Sequence, residues 1–210
     1  MQISLNSTLH PLCGARIAAA AGGGGTRFVR HLLAGMVIAT LGSPAFAQTA
    51  EDVSEIKVLA QRLSDAYLAQ DFNASDDLMP PTLGQIYASN HGKTLEEYRE
   101  SQAGLYAAMK LKFRVREATI NPDAMEWREA RDGSPVAVIP AKLVVEVASN
   151  TTPGLWHAVG DTNPVIAFKD QDQWSLYRAT DEEMLTDLYT AFPKLVPLRL
   201  KVTPLEEIKE

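Results

Sequence analysis

The side chains with the greatest chemical reach in this sequence are few and widely spaced. His157 and Asp161 stand four residues apart in an apolar stretch, so on a regular strand both point to one face. A histidine oriented by a carboxylate is a general base with its positioning partner. Glu117 shares the parity of Leu111, Phe113 and Val115. A carboxylate buried on that face would carry a raised pKa, as acid and base groups do. Tyr67, Tyr106, Trp127 and Trp156 are able to line an apolar ligand cavity, with a phenol or indole group orienting one polar substituent.

Each candidate also has a plainer reading, and the plainer one is favoured. His157 near a strand end is an ordinary hydrogen-bonded or solvated histidine. Tyr67 and Tyr106 on helical faces are core residues with satisfied hydroxyls. Glu117 turns outward if the strand carries a bulge beside it, which would also bring Ala118 and Ile120 onto the apolar face. These residues are therefore a candidate ligand-binding set, with no catalytic role assigned.

Several chemistries are excluded more firmly. The sequence has no Gly-rich phosphate loop, no Gly-x-Ser-x-Gly elbow and no His-Glu-x-x-His. Beyond residue 47 the only histidines are His91 and His157, and without paired spacing they point away from a His-based metal site. Asp170 and Asp172 lack the further ligands of a calcium loop. No cofactor is expected.

The elements that must position these residues follow from composition and periodicity. The first 47 residues hold three basic residues and no acidic one. Arg27 and Arg30 precede the apolar run Leu32–Leu41, and Gly42-Ser43-Pro44 and Ala45-Phe46-Ala47 follow. That order reads as a Sec-type signal peptide cleaved after Ala47, and the run is too short to anchor the chain in a membrane. Residues 48–210 then form a single exported domain, periplasmic or secreted. Cys13, the only cysteine, lies in the removed segment, and the remainder carries a charge of −9 from 17 basic and 26 acidic residues. Negative potential disfavours binding to nucleic acid or anionic lipid. No later run is long enough to span a membrane.

Within that domain, apolar residues at helical spacing predict a helix over 52–71, ending in a turn-rich stretch at 71–77. A short helical piece follows Pro80-Pro81 around Thr82–Ala88, and Asn90-His91-Gly92 stops it. Thr94-Leu95-Glu96-Glu97 is a capping box opening a third helix. From Leu111 the period changes to two. Asp132-Gly133 marks a hairpin, and Ala137, Ile139, Ala141, Leu143, Val145 and Val147 form an inward series interrupted by Pro140 on the other parity. One strand is expected over Trp156–Phe168. Another begins at Trp174, after a turn at 169–173. A second capping box, Thr180–Glu183, opens a closing helix that ends at Pro193. Helices first and antiparallel strands after indicate an α+β domain with helices on a curved sheet.

Three stretches in this order resemble the NTF2-like (SnoaL-like) superfamily: Ala66-Tyr67-Leu68-Ala69-Gln70-Asp71-Phe72, Gly92–Tyr98, and Val165–Leu176 with its turn-flanking Trp174. The resemblance covers about Glu51 to Tyr177. The Pro80-Pro81 segment and the closing helix depart from it. It implies a cone with an open mouth, used by relatives as isomerases, cyclases or dehydratases, as binders of small molecules, or as dimeric adaptors. The leading expectation is a noncatalytic domain binding a small apolar ligand or a protein partner, with a homodimer through the sheet. An isomerase or dehydratase acting on a hydrophobic substrate, and a purely protein-binding adaptor, stand as alternatives.

Overall fold

Helix α1 (Ala50–Leu68) begins at a capping box in which the Thr49 side chain accepts from the Asp52 amide. Ile56, Ala60, Leu63 and Ala66 recur at steps of three and four and are buried. The structure, a computed structural model, describes residues 49–208, all within one compact unit. The signal peptide expected in 1–47 lies outside the described residues. Asp71 caps a short helix, α2 (Phe72–Asp76), where the sequence indicates only turns. Helix α3 (Pro81–Asn90) starts on a proline whose missing N–H costs nothing at that position. It ends before Gly92, whose φ is +65°.

Helix α4 (Leu95–Lys112) opens on the expected Thr94–Glu97 capping box, yet none of its residues is buried. It runs straight into strand β1 (Phe113–Ile120), so Leu111 belongs to the helix and not to the strand. The sheets are wholly antiparallel, in line with the α+β expectation. After β1 come η1 (Pro122–Ala124), β2 (Glu126–Glu129), β3 (Pro135–Ile139), β4 (Ala141–Ala148), β5 (Trp156–Asp161), β6 (Val165–Asp170) and β7 (Gln173–Tyr177). Helix α5 (Glu182–Ala191), η2 (Pro193–Leu198) and a two-residue strand β8 (Glu206–Glu207) close the chain. The cap of α5 is Asp181, accepting from the Met184 amide at 2.8 Å, and not Thr180.

Two four-stranded sheets result, in the orders β1-β4-β5-β8 and β2-β3-β6-β7. The chain passes between the sheets four times: at η1, at Pro140, at Thr162-Asn163-Pro164, and through α5 and η2 on the way to β8. The strand expected over Trp156–Phe168 is therefore two, because Pro164 cannot donate to a ladder. Pro140 likewise ends β3, while its carbonyl still accepts from the Asn121 amide at 2.9 Å. A register shift between Val115 and Glu117 marks the expected bulge in β1, with Arg116 as the extra residue.

The second sheet is covered on both faces. Ala137, Ile139, Val165, Ala167, Trp174 and Leu176 pack with Ile56 and Leu63 of α1. Alternate residues Val136, Ile166, Phe168 and Tyr177 pack with Leu185, Leu188 and Leu195 from the C-terminal helices and with Leu83 of α3. The closing helix thus adds a layer behind the sheet, where the sequence places helices on one face only. In the first sheet the face shared with α1 is apolar, while the other carries Arg114, Arg116, Glu117, Lys142 and Glu146.

Asp52 ties α1 to the hairpin of β6 and β7. Its carboxylate accepts from the buried Trp174 indole at 2.8 Å and pairs with Lys169 at 3.0 Å. The indole bond, followed by the Lys169 bond, holds this carboxyl well below its ordinary value of 3.8. A depressed acid stabilises the fold above its unfolded pKa, and that stability is lost as pH falls toward the folded value. Asp52→Ala should cost about 1–3 kcal/mol at neutral pH by orphaning the indole N–H. The gap to wild type should narrow as the melting series is taken below about pH 3.

Candidate functional site

Alternation carries the inward series from the second sheet into the first. Ala141 and Ile120 pack beside the α1-facing cluster, so Leu143, Val145 and Val147 of β4 face the same way. Register adds Val115 opposite Val145, Phe113 opposite Val147, and Val159 and His157 on the far side. Toward the bend this face is closed: Ala118 is buried, and its carbonyl accepts from the Ser64 hydroxyl at 2.6 Å. Away from the bend, Phe113, Val115, Val145, Val147 and Val159 are all only half-buried.

The open end is rimmed by exposed leucines. Gln70, just beyond α1, donates to the Phe113 carbonyl at 2.7 Å, which places the end of α1 beside the start of β1. Leu68 there is 50% exposed and Leu111 is 78% exposed. Across the sheet Leu155, 45% exposed, accepts from the Ser149 amide at 2.8 Å just past Val147. Exposed apolar residues beside a half-buried apolar face are the arrangement of a hydrophobic binding surface.

Polar groups lie at the closed end. Arg178 continues the inward parity of Trp174 and Leu176, and its guanidinium donates to the Asp161 carboxylate. The two side chains are 3% and 1% exposed. Asp161 also accepts from the Asn163 amide at 2.9 Å, and Arg178 Nε donates to the Asn163 carbonyl at 3.2 Å. This network clamps the bend between β5 and β6. Tyr67 of α1 lies within electrostatic reach of Arg178, Asp76 and Asp161, and burial pushes its phenol up. Asp76 accepts a hydrogen bond from Tyr106, whose ring packs on Phe72 with centroids 5.4 Å apart. Burial raises the Asp76 carboxyl, against the pull of the Tyr106 hydroxyl and Arg99.

A raised acid favours folding below its unfolded pKa and loses that advantage as pH rises through the folded value. Asp76→Asn keeps an acceptor for Tyr106 and removes the buried charge. Its melting temperature should exceed that of wild type by a few degrees at pH 7, with the difference vanishing in acid.

The seven residues singled out from the sequence separate in space. Tyr67 lies within electrostatic reach of Asp161 and Asp76, and Asp76 accepts from Tyr106. Asp161 serves Arg178 and is no partner to His157, whose Nδ1 lies 3.8 Å from Glu207 at the edge of β5. The supposed His–Asp dyad is thus absent, since four residues along a strand separate the two by about 13 Å. Glu117 points outward from the bulge and pairs with Lys142 at 2.7 Å, which with the Lys142 hydrogen bond as main cause lowers its pKa. Trp156 also faces outward, its ring 3.9 Å beneath Arg114. Trp127 stacks edge-on against Trp174 at 6.0 Å, within the α1 cluster of the second sheet.

Sequence reasoning missed Arg178 and Asp76. The parity of β7 places Arg178 inward, a signal available once Trp174 and Leu176 are read as core, whereas nothing distinguishes Asp76 from neighbouring Asp77. Two cavities lie off this face. One of about 230 Å³ sits beneath the C-terminal tail, and one of about 70 Å³ lies between α2, α3 and α4. Among the described residues no group of three or more His, Cys, Asp or Glu is placed to hold a metal, and no helix is long and apolar enough to cross a membrane. No protein-family model, curated protein or solved structure matches the chain.

Proposed function

We propose that this domain is an exported, noncatalytic binding module of NTF2-like type that takes a small apolar molecule on the open face of β1, β4 and β5. The observation that carries this reading is the half-buried stripe of Phe113, Val115, Val145, Val147 and Val159, ringed by exposed Leu68, Leu111 and Leu155. Leaving such a stripe wet forfeits roughly 25 cal/mol per Å² of burial, which a bound apolar molecule recovers. Catalysis by His157 with Asp161 would require the two to meet, yet along this face they stand about 13 Å apart, Asp161 held by Arg178 and His157 beside Glu207, while Glu117 points to the opposite face. An adaptor docking through the outer sheet would present an apolar patch there. That face carries Arg114, Arg116, Glu117, Lys142 and Glu146, with the Trp156 ring covered by Arg114 and Val144 buried.

The test is a titration of the full chain with 1-aminoanthracene, a neutral apolar fluorophore. Saturable binding that weakens at least tenfold (about 1.4 kcal/mol) in Val147→Asp is the expected result. Equal binding by a folded Val147→Asp variant would overturn the assignment.

A further inference from the structure

The last ten described residues form a strap along the outer edge of β5. Arg199 turns the chain out of η2 with φ +47° and ψ +46°, a left-handed conformation unfavourable for a residue with a β-carbon. Two anchors then hold the strap. At the first, the side chain of Asn163, only 1% exposed, is given over to Thr203. Its oxygen accepts from the Thr203 amide at 2.5 Å and hydroxyl at 2.8 Å, and its nitrogen donates to the Thr203 carbonyl at 2.9 Å. At the second, Glu206 and Glu207 pair with Gly160 and Val159, and the Ile208 amide donates to the Ala158 carbonyl at 2.9 Å.

Gly160 is the socket for Ile208. A β-carbon there would lie 3.0 Å from the Leu143 carbonyl and 3.1 Å from Ile208 Cδ1. Between the anchors the strap bridges the 230 Å³ cavity lined by Val144, Thr162 and Pro204, and Leu205 stays 43% exposed. The strap is thus specified at two points and loosely packed elsewhere. Such an edge is a strand-docking site, and what fits it is defined by the residues that fill it.

We infer that the strap is exchangeable, so that residues 203–208 of a second copy of this chain take the same place on β5 and produce a strand-exchanged dimer. Every anchor contact is identical in the exchanged form, and only the short hinge at residues 199–202 changes, releasing the strained Arg199 backbone. A tethered strap competes at an effective concentration in the millimolar range, so exchange grows with protein concentration. No other occupant needs to be supplied, because each copy carries the fitted segment.

Disulfide trapping of full chains in a Cys13→Ser background tests this. Val159 and Glu207 face one another in the register, so a chain bearing both Val159→Cys and Glu207→Cys should close its bond within one molecule when dilute. Mixing concentrated chains that carry only Val159→Cys with chains that carry only Glu207→Cys should give linked heterodimers, roughly tenfold above the homodimers of either alone. Adding Ile208→Glu should suppress both products. If the double variant closes but the mixture yields no excess heterodimer, exchange is refuted. Failure of the double variant to close would remove the strap itself, and with it the inference. Val159 also borders the apolar face, but the two tests read different quantities, cross-linked dimer here and fluorophore binding at Val147 there.

Discussion

Replacing Arg178 by methionine should lower the unfolding free energy by about 3–5 kcal/mol, because it leaves the Asp161 carboxylate buried without its cation. For a domain of this size that is a fall of roughly 6–20 °C in melting temperature. The magnitude follows from burial: the two side chains are 3% and 1% exposed, so solvent does not compensate the orphaned charge. The sign of the second step is more diagnostic than the size of the first. Adding Asp161→Leu to Arg178→Met should recover much of the loss, since apolar replacement of a whole buried pair is often neutral. A network needed only to clamp the bend between β5 and β6 behaves in that way. Chemical denaturation of the two single variants and the double variant completes the cycle.

Phe168→Ala should cost a comparable 3–5 kcal/mol through the transfer and cavity terms together. Phe168 is 1% exposed and lies edge-on to Phe192 at 4.8 Å between centroids. It stands between the second sheet and the C-terminal helices, where no rearrangement of loops can fill the void. Tyr177 lies in the same cluster and donates to the Met184 carbonyl at 3.1 Å, and its neighbour Tyr87 is pushed up to about 12 by burial. The same truncation at Val147, on the half-buried face, should cost far less. That contrast separates the closed part of the domain from the part offered to a ligand. Urea unfolding of Phe168→Ala and Val147→Ala, with unchanged slopes, measures it.

Local signals in the sequence transferred well. The Thr94–Glu97 capping box, the Gly92 stop, the bulge beside Glu117 and the inward series from Ala137 to Val147 are set by interactions a few residues long, and each is present. The tight turn at Gln171 and Asp172 falls where expected, with φ values of +52° and +63°, because short charged segments between strands have few other conformations. Failures occurred where distant chain segments decide the outcome. Asp161 looked like a partner for His157 because parity along one strand was visible, while the approach of Arg178 from β7 was not. One curved sheet became two, since Pro140 and Pro164 break neighbouring segments in register, and register between strands cannot be read from either strand alone.

The open face remained hidden for a related reason. Alternation shows which side chains point inward, but whether a helix covers them depends on where α4 lies. That helix has the apolar stripe of a core element, and yet Leu105 is 39% exposed and no residue of α4 is buried. It rests on α2 and α3 through Tyr106 with Asp76, and through Leu95 against Gly84, leaving the face of β1, β4 and β5 uncovered.

That uncovered face is where the functional proposal stands or falls, and native mass spectrometry of chain recovered from an exporting host addresses it most directly. The expected spectrum contains a second species heavier by one apolar molecule of a few hundred daltons, present for wild type and lost when Phe113 is changed to aspartate. Protein that carries nothing at any collision energy, and that gains no mass on incubation with apolar molecules, would contradict it.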